Sequence, residues 1–192
     1  MRDLGLLIIR LTTGGLLTGH GSQKLFGWFG GHGLQGTSNW LESIGLRPGC
    51  QFALMVGIAE FTGGLLKALG LFWPIGPILT FGPMAVATGT VHAGKPIWVA
   101  EGGAELPVTN MSTGLGLMLT GPGRFSLDRL LGIRVPGTLV VLAMAVVAAS
   151  TLMTLSARVV PEMRPAVVPA QGQETVGVER REGERGRRPR AA

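Results

Sequence analysis

The sequence predicts an all-α membrane protein, built as a four-helix transmembrane bundle with an additional fifth transmembrane helix on its C-terminal side. Hydrophobic residues make up 46% of the 192 residues and the mean hydropathy is +0.39, which is too apolar for a typical soluble domain. Glycine is abundant, at 32 residues, as in helices that pack closely in lipid. Five apolar segments follow one another along the chain, and roughly 20 residues are needed to cross a bilayer core.

The first two apolar segments contain charged residues. Leu4–Gly19 includes Arg10, and because no small-residue cleavage site follows it, we do not expect a removable signal peptide. Phe52–Phe72 includes Glu60 and Lys67. An ionisable side chain inside a membrane segment costs about 3 kcal/mol or more and by default marks a functional site.

These three charged side chains differ in how far they can reach. Glu60 lies about 12 Å inside its segment, which is too deep for a short side chain to reach water. It is either a functional carboxylate or a link between helices through Arg10 or hydroxyl groups. For Arg10 two alternatives are open, pairing with Glu60 or extending towards the headgroups. Lys67 is near the end of its segment, and we expect it to extend to the membrane surface.

The three remaining apolar segments vary in character. Pro74–Ala93 begins with proline, and Pro77 and Pro83 predict kinks within it. Pro107–Thr120 is short and starts with polar residues, which makes it the weakest membrane-spanning candidate. Gly137–Ala157 contains no charge and has the length and composition of a membrane-spanning helix.

Three parts of the chain are predicted from this pattern. Residues 1–130 form the four-helix transmembrane bundle, and residues 131–157 supply the additional transmembrane helix. Residues 158–192 form a charged tail, rich in Pro, Glu, Gly and Arg, whose composition is typical of disorder. Near residue 121 the sequence predicts a tight turn and then a short helix with Ser126 as its N-cap.

Two polar loops lie on the same membrane face if all five segments cross. The loop Gly21–Gln51 follows the first segment, and Gly94–Leu106 follows the third. Titratable and hydrogen-bonding residues therefore gather at that face, above Glu60. The predicted catalytic residues are Glu60, His20, His92 and Glu105, and the predicted substrate-binding residues are Arg10, Gln23, Lys24 and Trp28. These residue types suit a proton-handling pocket for a small polar or quinone-like headgroup.

Several other kinds of site are disfavoured. Cys50 is the only cysteine, so the chain has no internal disulfide, CxxC pair or thiolate metal cluster. Two histidines with carboxylates could bind iron or manganese, but no local ligand spacing supports this, and we predict no metal. The formal net charge is +6, and the positive tail beside a membrane indicates attraction to headgroups rather than to nucleic acid. Gly15 and Gly19 in the first segment, and Gly63 and Gly64 in the second, are expected to pack against neighbouring helices.

Several separated motifs, in order, resemble the DoxX family of small bacterial membrane proteins over roughly residues 4–130. They are Arg10, His20-Gly-x-Gln23-Lys24-Leu-Phe-Gly-x-Phe-Gly-Gly31, Gly36-Thr37, Gly57-x-x-Glu60-x-x-Gly63-Gly64, Leu69-Gly70-Leu71, His92, Gly102-Gly103-x-Glu105-x-Pro107 and Gly121-Pro-Gly-Arg-x-Ser-Leu-Asp128. The resemblance implies a four-helix bundle at the cell membrane. It also implies a link to oxidoreductases, including a quinone-reducing subunit of a thiosulfate-oxidising enzyme. The fifth segment and the tail depart from the family pattern.

The leading functional hypothesis is a component of a membrane redox system that acts on a quinone-like or small sulfur substrate. The cofactor is unassigned, and a quinone is one candidate. The alternatives are a non-enzymatic membrane scaffold for soluble redox or detoxification proteins, and a pathway for a small solute or protons. The expected partners are the lipid bilayer, soluble redox proteins and a second copy of the chain, and the expected location is the cell membrane, crossed several times.

Overall fold

A computed structural model describes residues 1–158, which contain seven α-helices and no strand. The predicted disordered tail lies outside the described residues, apart from Arg158. The helices are α1 (Arg2–Phe26), α2 (Gly33–Ser43), α3 (Gly49–Leu69), α4 (Ile75–Thr90), α5 (Glu105–Thr120), α6 (Leu127–Leu131) and α7 (Gly137–Ser156). The all-α prediction is confirmed for this part of the chain.

The long helices pack in a continuous series. α1 lies along α3, α3 packs against α4, and α4 also contacts α5 and α7. The short helix α2 covers the first part of α3, where Leu41, Leu46, Phe52 and Ala53 form a buried apolar cluster. Because α1 and α3 share the most extensive contact, their interface positions the polar residues described below.

Glycines bring α1 and α3 close together. A Cβ added at Gly14 would lie 2.6 Å from the backbone nitrogen of Ala68, and one added at Gly64 would lie 2.7 Å from the carbonyl oxygen of Gly14. Only glycine permits backbones to approach so closely. The predicted helix packing is confirmed for Gly63 and Gly64 but wrong for Gly15 and Gly19, because among the described residues nothing lies within 4 Å of a Cβ added at either of the last two positions.

The distribution of polar and apolar side chains is the reverse of a soluble protein's. Arg10, Glu60 and Lys67 are 1%, 4% and 0% exposed, whereas Leu16 on α1 and Val141 on α7 are 64% and 66% exposed. Exposed apolar side chains continue along α1, α3, α5 and α7. Such a surface is unfavourable in water but matches the hydrocarbon of a bilayer.

Two of the described helices are long and apolar enough to cross a membrane by length and composition, Gly49–Leu69 and Gly137–Ser156. The first helix is longer than its apolar segment, because α1 continues to Phe26 and ends where Gly27 takes a left-handed φ of 72°. The predicted loop Gly21–Gln51 is therefore wrong in part. It contains the end of α1, all of α2 and the start of α3.

Candidate functional site

An ion pair joins α1 to α3 near one end of the bundle. The Lys24 ammonium lies 2.5 Å from a carboxylate oxygen of Glu60, and the two side chains are 25% and 5% exposed. Gly57 and Gly64, on either side of Glu60 in α3, are in close contact with α1 and hold the helices near enough for the charges to meet. Each charge compensates the other in a place where a lone charge would be costly.

His20 lies one turn before Lys24 on α1, and Gln23 directly precedes Lys24. The Nδ1 atom of His20 is 3.2 Å from Oε1 of Gln23, and the side-chain amide of Gln23 donates to the carbonyl oxygen of Phe29 at 3.3 Å. Gln23 thus holds the 3₁₀ turn Trp28–Gly30 against the end of α1. His20 and Gln23 are therefore close to Lys24, within the last two turns of α1.

Aromatic rings surround this end of α1. The ring centroids of Phe26 and Trp28 are 5.0 Å apart, Phe26 meets Phe61 of α3 edge-on at 5.6 Å, and Trp28 meets Phe29 at 6.4 Å. Trp28 and Phe29 are 56% and 75% exposed. Large exposed aromatic side chains at the end of a membrane helix are typical of the membrane–water interface.

His92 and Glu105 hold a different turn. Nδ1 of His92 lies 2.6 Å from the carbonyl oxygen of Gly102, and a carboxylate oxygen of Glu105 accepts from the backbone N–H of Val99 at 2.9 Å. Both side chains therefore bind the backbone of the turn between α4 and α5. Within residues 1–158 neither of them forms a hydrogen bond or ion pair with the Lys24–Glu60 group.

Arg10 lies in the first half of α1, about 21 Å along the helix from Lys24 at 1.5 Å per residue. Its guanidinium donates to the carbonyl oxygens of Pro122 and Phe125, the second at 2.6 Å. Arg10 therefore does not pair with Glu60, and it is bound by protein carbonyls rather than extended to the headgroups. A guanidinium carries several fixed donors, which suits it to fastening a loop in this way.

Lys67 does not extend to the membrane surface as predicted. Its side chain is completely buried, and its ammonium has no hydrogen-bond partner among the described residues. α3 is crowded at this point, because a Cβ on Gly76 of α4 would strike the backbone at Lys67. The closely packed neighbouring helix prevents the long side chain from following the helix surface outwards.

Asp128 is a residue whose role the sequence did not indicate. Its two carboxylate oxygens accept from the backbone N–H groups of Phe72 and Trp73, at 2.8 and 2.7 Å, and so hold the turn between α3 and α4. Ser126 is the N-cap of α6 and accepts from the N–H of Arg129, as predicted. The glycine-rich motif before Asp128 predicted a tight turn here. It did not indicate that the loop binds groups far away in the chain, namely the Arg10 guanidinium and the N–H groups of Phe72 and Trp73.

A family model described as DoxX matches residues 5–93, just under half of the chain. These residues form a DoxX domain. The resemblance stated from the motifs is confirmed for α1 to α4, and the match stops before the motifs that begin at Gly102 and Gly121. A comparison with curated proteins finds no significant match, and neither does one with solved structures.

DoxX proteins are membrane-associated, and the apolar helices of this chain agree with that assignment. The exposed apolar faces of the helices are likewise consistent with contact between this protein and a lipid bilayer. The DoxX domain contains Arg10, Lys24, Glu60, Lys67 and His92, whereas Glu105 and Asp128 lie beyond the matched residues.

Proposed function

We propose that α1, α3, α4 and α5 cross the cell membrane as a four-helix bundle, that α7 adds a fifth crossing, and that residues 158–192 form a separate tail. The buried charges and the apolar exterior support this arrangement. At 1.5 Å per residue α3 and α7 are about 30 Å long, which matches the hydrocarbon core. α4 and α5 are about 24 Å long, and local thinning of the bilayer accommodates shorter helices.

We propose that this DoxX protein is a component of a membrane redox system, with Lys24 and Glu60 as its proton-handling pair. The observation that carries the proposal is the partly buried ion pair between α1 and α3, with His20 one helical turn before Lys24 and Gln23 directly before it. Ionisable groups paired inside a membrane bundle are typical of proton relays. A quinone-like headgroup or a small sulfur compound is the proposed substrate, and Gln23 and Trp28 are its proposed contacts.

In quinone reduction these residues would handle the protons and not the electrons. A quinone becomes a quinol by taking up two electrons and two protons. In this proposal the electrons come from a soluble redox partner that is oxidised. Glu60 and Lys24 pass protons to the quinone oxygens, and His20 exchanges them with water. His92 and Glu105 are proposed as a second proton-exchanging group, at the turn between α4 and α5, while Arg10 fastens the loop after α5, about 21 Å along α1 from Lys24.

The test uses the full chain, purified in a mild detergent, and a short-chain quinone analogue as the probe. Quinone binding is measured by quenching of tryptophan fluorescence and by native mass spectrometry. Wild type is expected to bind, and Glu60→Gln to bind about tenfold more weakly, since it removes a charged partner. The matched control is Glu101→Gln, an exposed glutamate of the turn after α4. Equal binding by wild type and Glu60→Gln, or none by wild type, contradicts the proposal.

The second candidate is a non-enzymatic scaffold, which the exposed aromatic residues at the end of α1 favour. Trp28 and Phe29 present large apolar surfaces, and such side chains are common anchors for a protein partner. This function predicts that Trp28→Ala/Phe29→Ala abolishes the co-purification of soluble redox or detoxification proteins with the chain, whereas Glu60→Gln retains it. The redox proposal instead predicts that Glu60→Gln loses quinone binding at normal protein abundance.

A further inference from the structure

Two open cavities adjoin at the end of the bundle where α1 begins and α5 ends. Their volumes are about 790 and 620 Å³, and Asp3, Arg124 and Arg129 line both. They therefore form one groove, here called the arginine groove, which also includes Arg2 and Arg134. It lies at the far end of α1 from the Lys24–Glu60 pair.

The charges of the arginine groove are unbalanced. Its two carboxylates are already engaged by backbone N–H groups, since Asp3 accepts from Arg124 at 2.9 Å and Asp128 accepts from the turn between α3 and α4. Among the four arginines, Arg2 donates to the carbonyl oxygen of Thr120. The guanidinium groups of the other three form no hydrogen bond or ion pair within residues 1–158. The groove thus presents cationic donors without an anionic partner from the described chain.

The rim of the groove is apolar and exposed. Phe125 and Leu130 line the larger cavity and are 58% and 77% exposed, and Leu131 in the same short helix is 61% exposed. Arg124 and Arg129, beside them in the chain, are exposed as well. Apolar side chains next to cationic ones at the end of a membrane helix suit the boundary between acyl chains and headgroups.

We propose that the arginine groove binds the phosphate of an anionic phospholipid. Guanidinium groups present a planar fork of donors that matches phosphate oxygens, and several of them converge here. The apolar rim of Phe125 and Leu130 selects a lipid over a free phosphate, because it gives the acyl chains a surface to lie on. The site is independent of the proposed redox function, since it shares no residue with the Lys24–Glu60 group.

The test is native mass spectrometry of the full chain in mild detergent, titrated with phosphatidylglycerol and, separately, with phosphatidylcholine. Wild type is expected to retain phosphatidylglycerol in preference to phosphatidylcholine. Arg124→Gln/Arg129→Gln is expected to weaken phosphatidylglycerol binding by about tenfold or more, since each cation near the membrane surface contributes attraction. The control Arg47→Gln/Lys95→Gln removes two exposed cations near the opposite end of the helices and is expected to bind within about twofold of wild type.

The outcomes separate the alternatives. Equal binding of the two lipids by wild type overturns the proposal, and so does an equal loss in the control variant. Displacement of phosphatidylglycerol by millimolar inorganic phosphate overturns the assignment to a lipid and favours a free phosphate ester instead. Thermal unfolding of both double variants is measured alongside, and a loss of binding at unchanged stability supports the site.

Discussion

Lys24 of α1 and Glu60 of α3 form an ion pair whose ammonium and carboxylate atoms are 2.5 Å apart, at the most extensive helix interface of the protein. It is the only salt bridge among the described residues. The pair links the α1–α3 interface to the proposed proton chemistry, because each charge offsets the cost of placing the other away from water. Removing one charge therefore affects stability as well as any reaction at this place.

Substituting Glu60→Gln is expected to lower the free energy of unfolding by about 1–3 kcal/mol, since the Lys24 ammonium loses its partner. The double variant Glu60→Gln/Lys24→Gln is expected to lose less free energy of unfolding than the two single variants lose together, because it leaves no unpaired charge. Unfolding in mixed detergent micelles measures both values. Additive losses would show that the two residues do not interact.

The close packing of α1 on α3 at Gly14 and Gly64 gives a second prediction. Gly64→Ala is expected to destabilise the protein by about 1–3 kcal/mol, because the added methyl group overlaps the α1 backbone. Gly15→Ala is the matched control, since it lies in the partner helix with open space around it. It is expected to be neutral, or to stabilise by up to about 1 kcal/mol through helix propensity. Similar stabilities for the two alanine variants would argue against close packing of α1 on α3.

Arg10→Met is expected to release the loop between α5 and α6, because Pro122 and Phe125 lose the guanidinium that binds their carbonyl groups. Trypsin cleavage after Arg124 should accelerate by about tenfold or more, since charged hydrogen bonds contribute about 1.5–3 kcal/mol. Mass spectrometry of the fragments follows the rate. Arg47→Gln serves as a control that leaves this loop intact, and unchanged cleavage in Arg10→Met would contradict the fastening role.

Lys67→Met is expected to stabilise the protein, by about 1–3 kcal/mol, because it replaces a buried ammonium, without a partner in residues 1–158, with an apolar side chain of similar length. Lys95→Met, at an exposed position after α4, is expected to change stability little. Unfolding in detergent compares the two. Destabilisation by Lys67→Met would mean that Lys67 has a partner outside the described residues, such as a bound anion.

Hydropathy predicted the helical class and the order of the apolar segments, because an apolar run reports directly on burial in lipid. It misplaced the end of α1, since His20, Gln23 and Lys24 are polar and interrupt the run while the backbone continues as a helix. The true end depends on Gly27, whose left-handed conformation stops the helix. The mean hydropathy of a segment reports how apolar its side chains are, but it does not report where the backbone stops being helical.

The partners of the buried charges were harder to predict than the charges themselves. Glu60 was identified from its depth in an apolar segment, but its partner depends on how α1 and α3 are rotated and shifted against each other. That register is determined by close contacts such as Gly14 with Ala68. The sequence pattern identified the packing glycines of α3 correctly, but on α1 it pointed to Gly15 and Gly19 instead of Gly14. A displacement of one residue turns a helix by about 100° and presents a different face.

The loop around Asp128 has a consequence for how the protein is made. Arg10, Phe72 and Trp73 are synthesised early, yet the groups that bind the Arg10 guanidinium and the amides of Phe72 and Trp73 lie at residues 122–128. Until that stretch leaves the ribosome, α1 carries a guanidinium without these carbonyl acceptors, and the turn between α3 and α4 lacks the Asp128 carboxylate that holds it. The family match ends at residue 93, so a gene fragment cut there would encode helices that lack their closing piece.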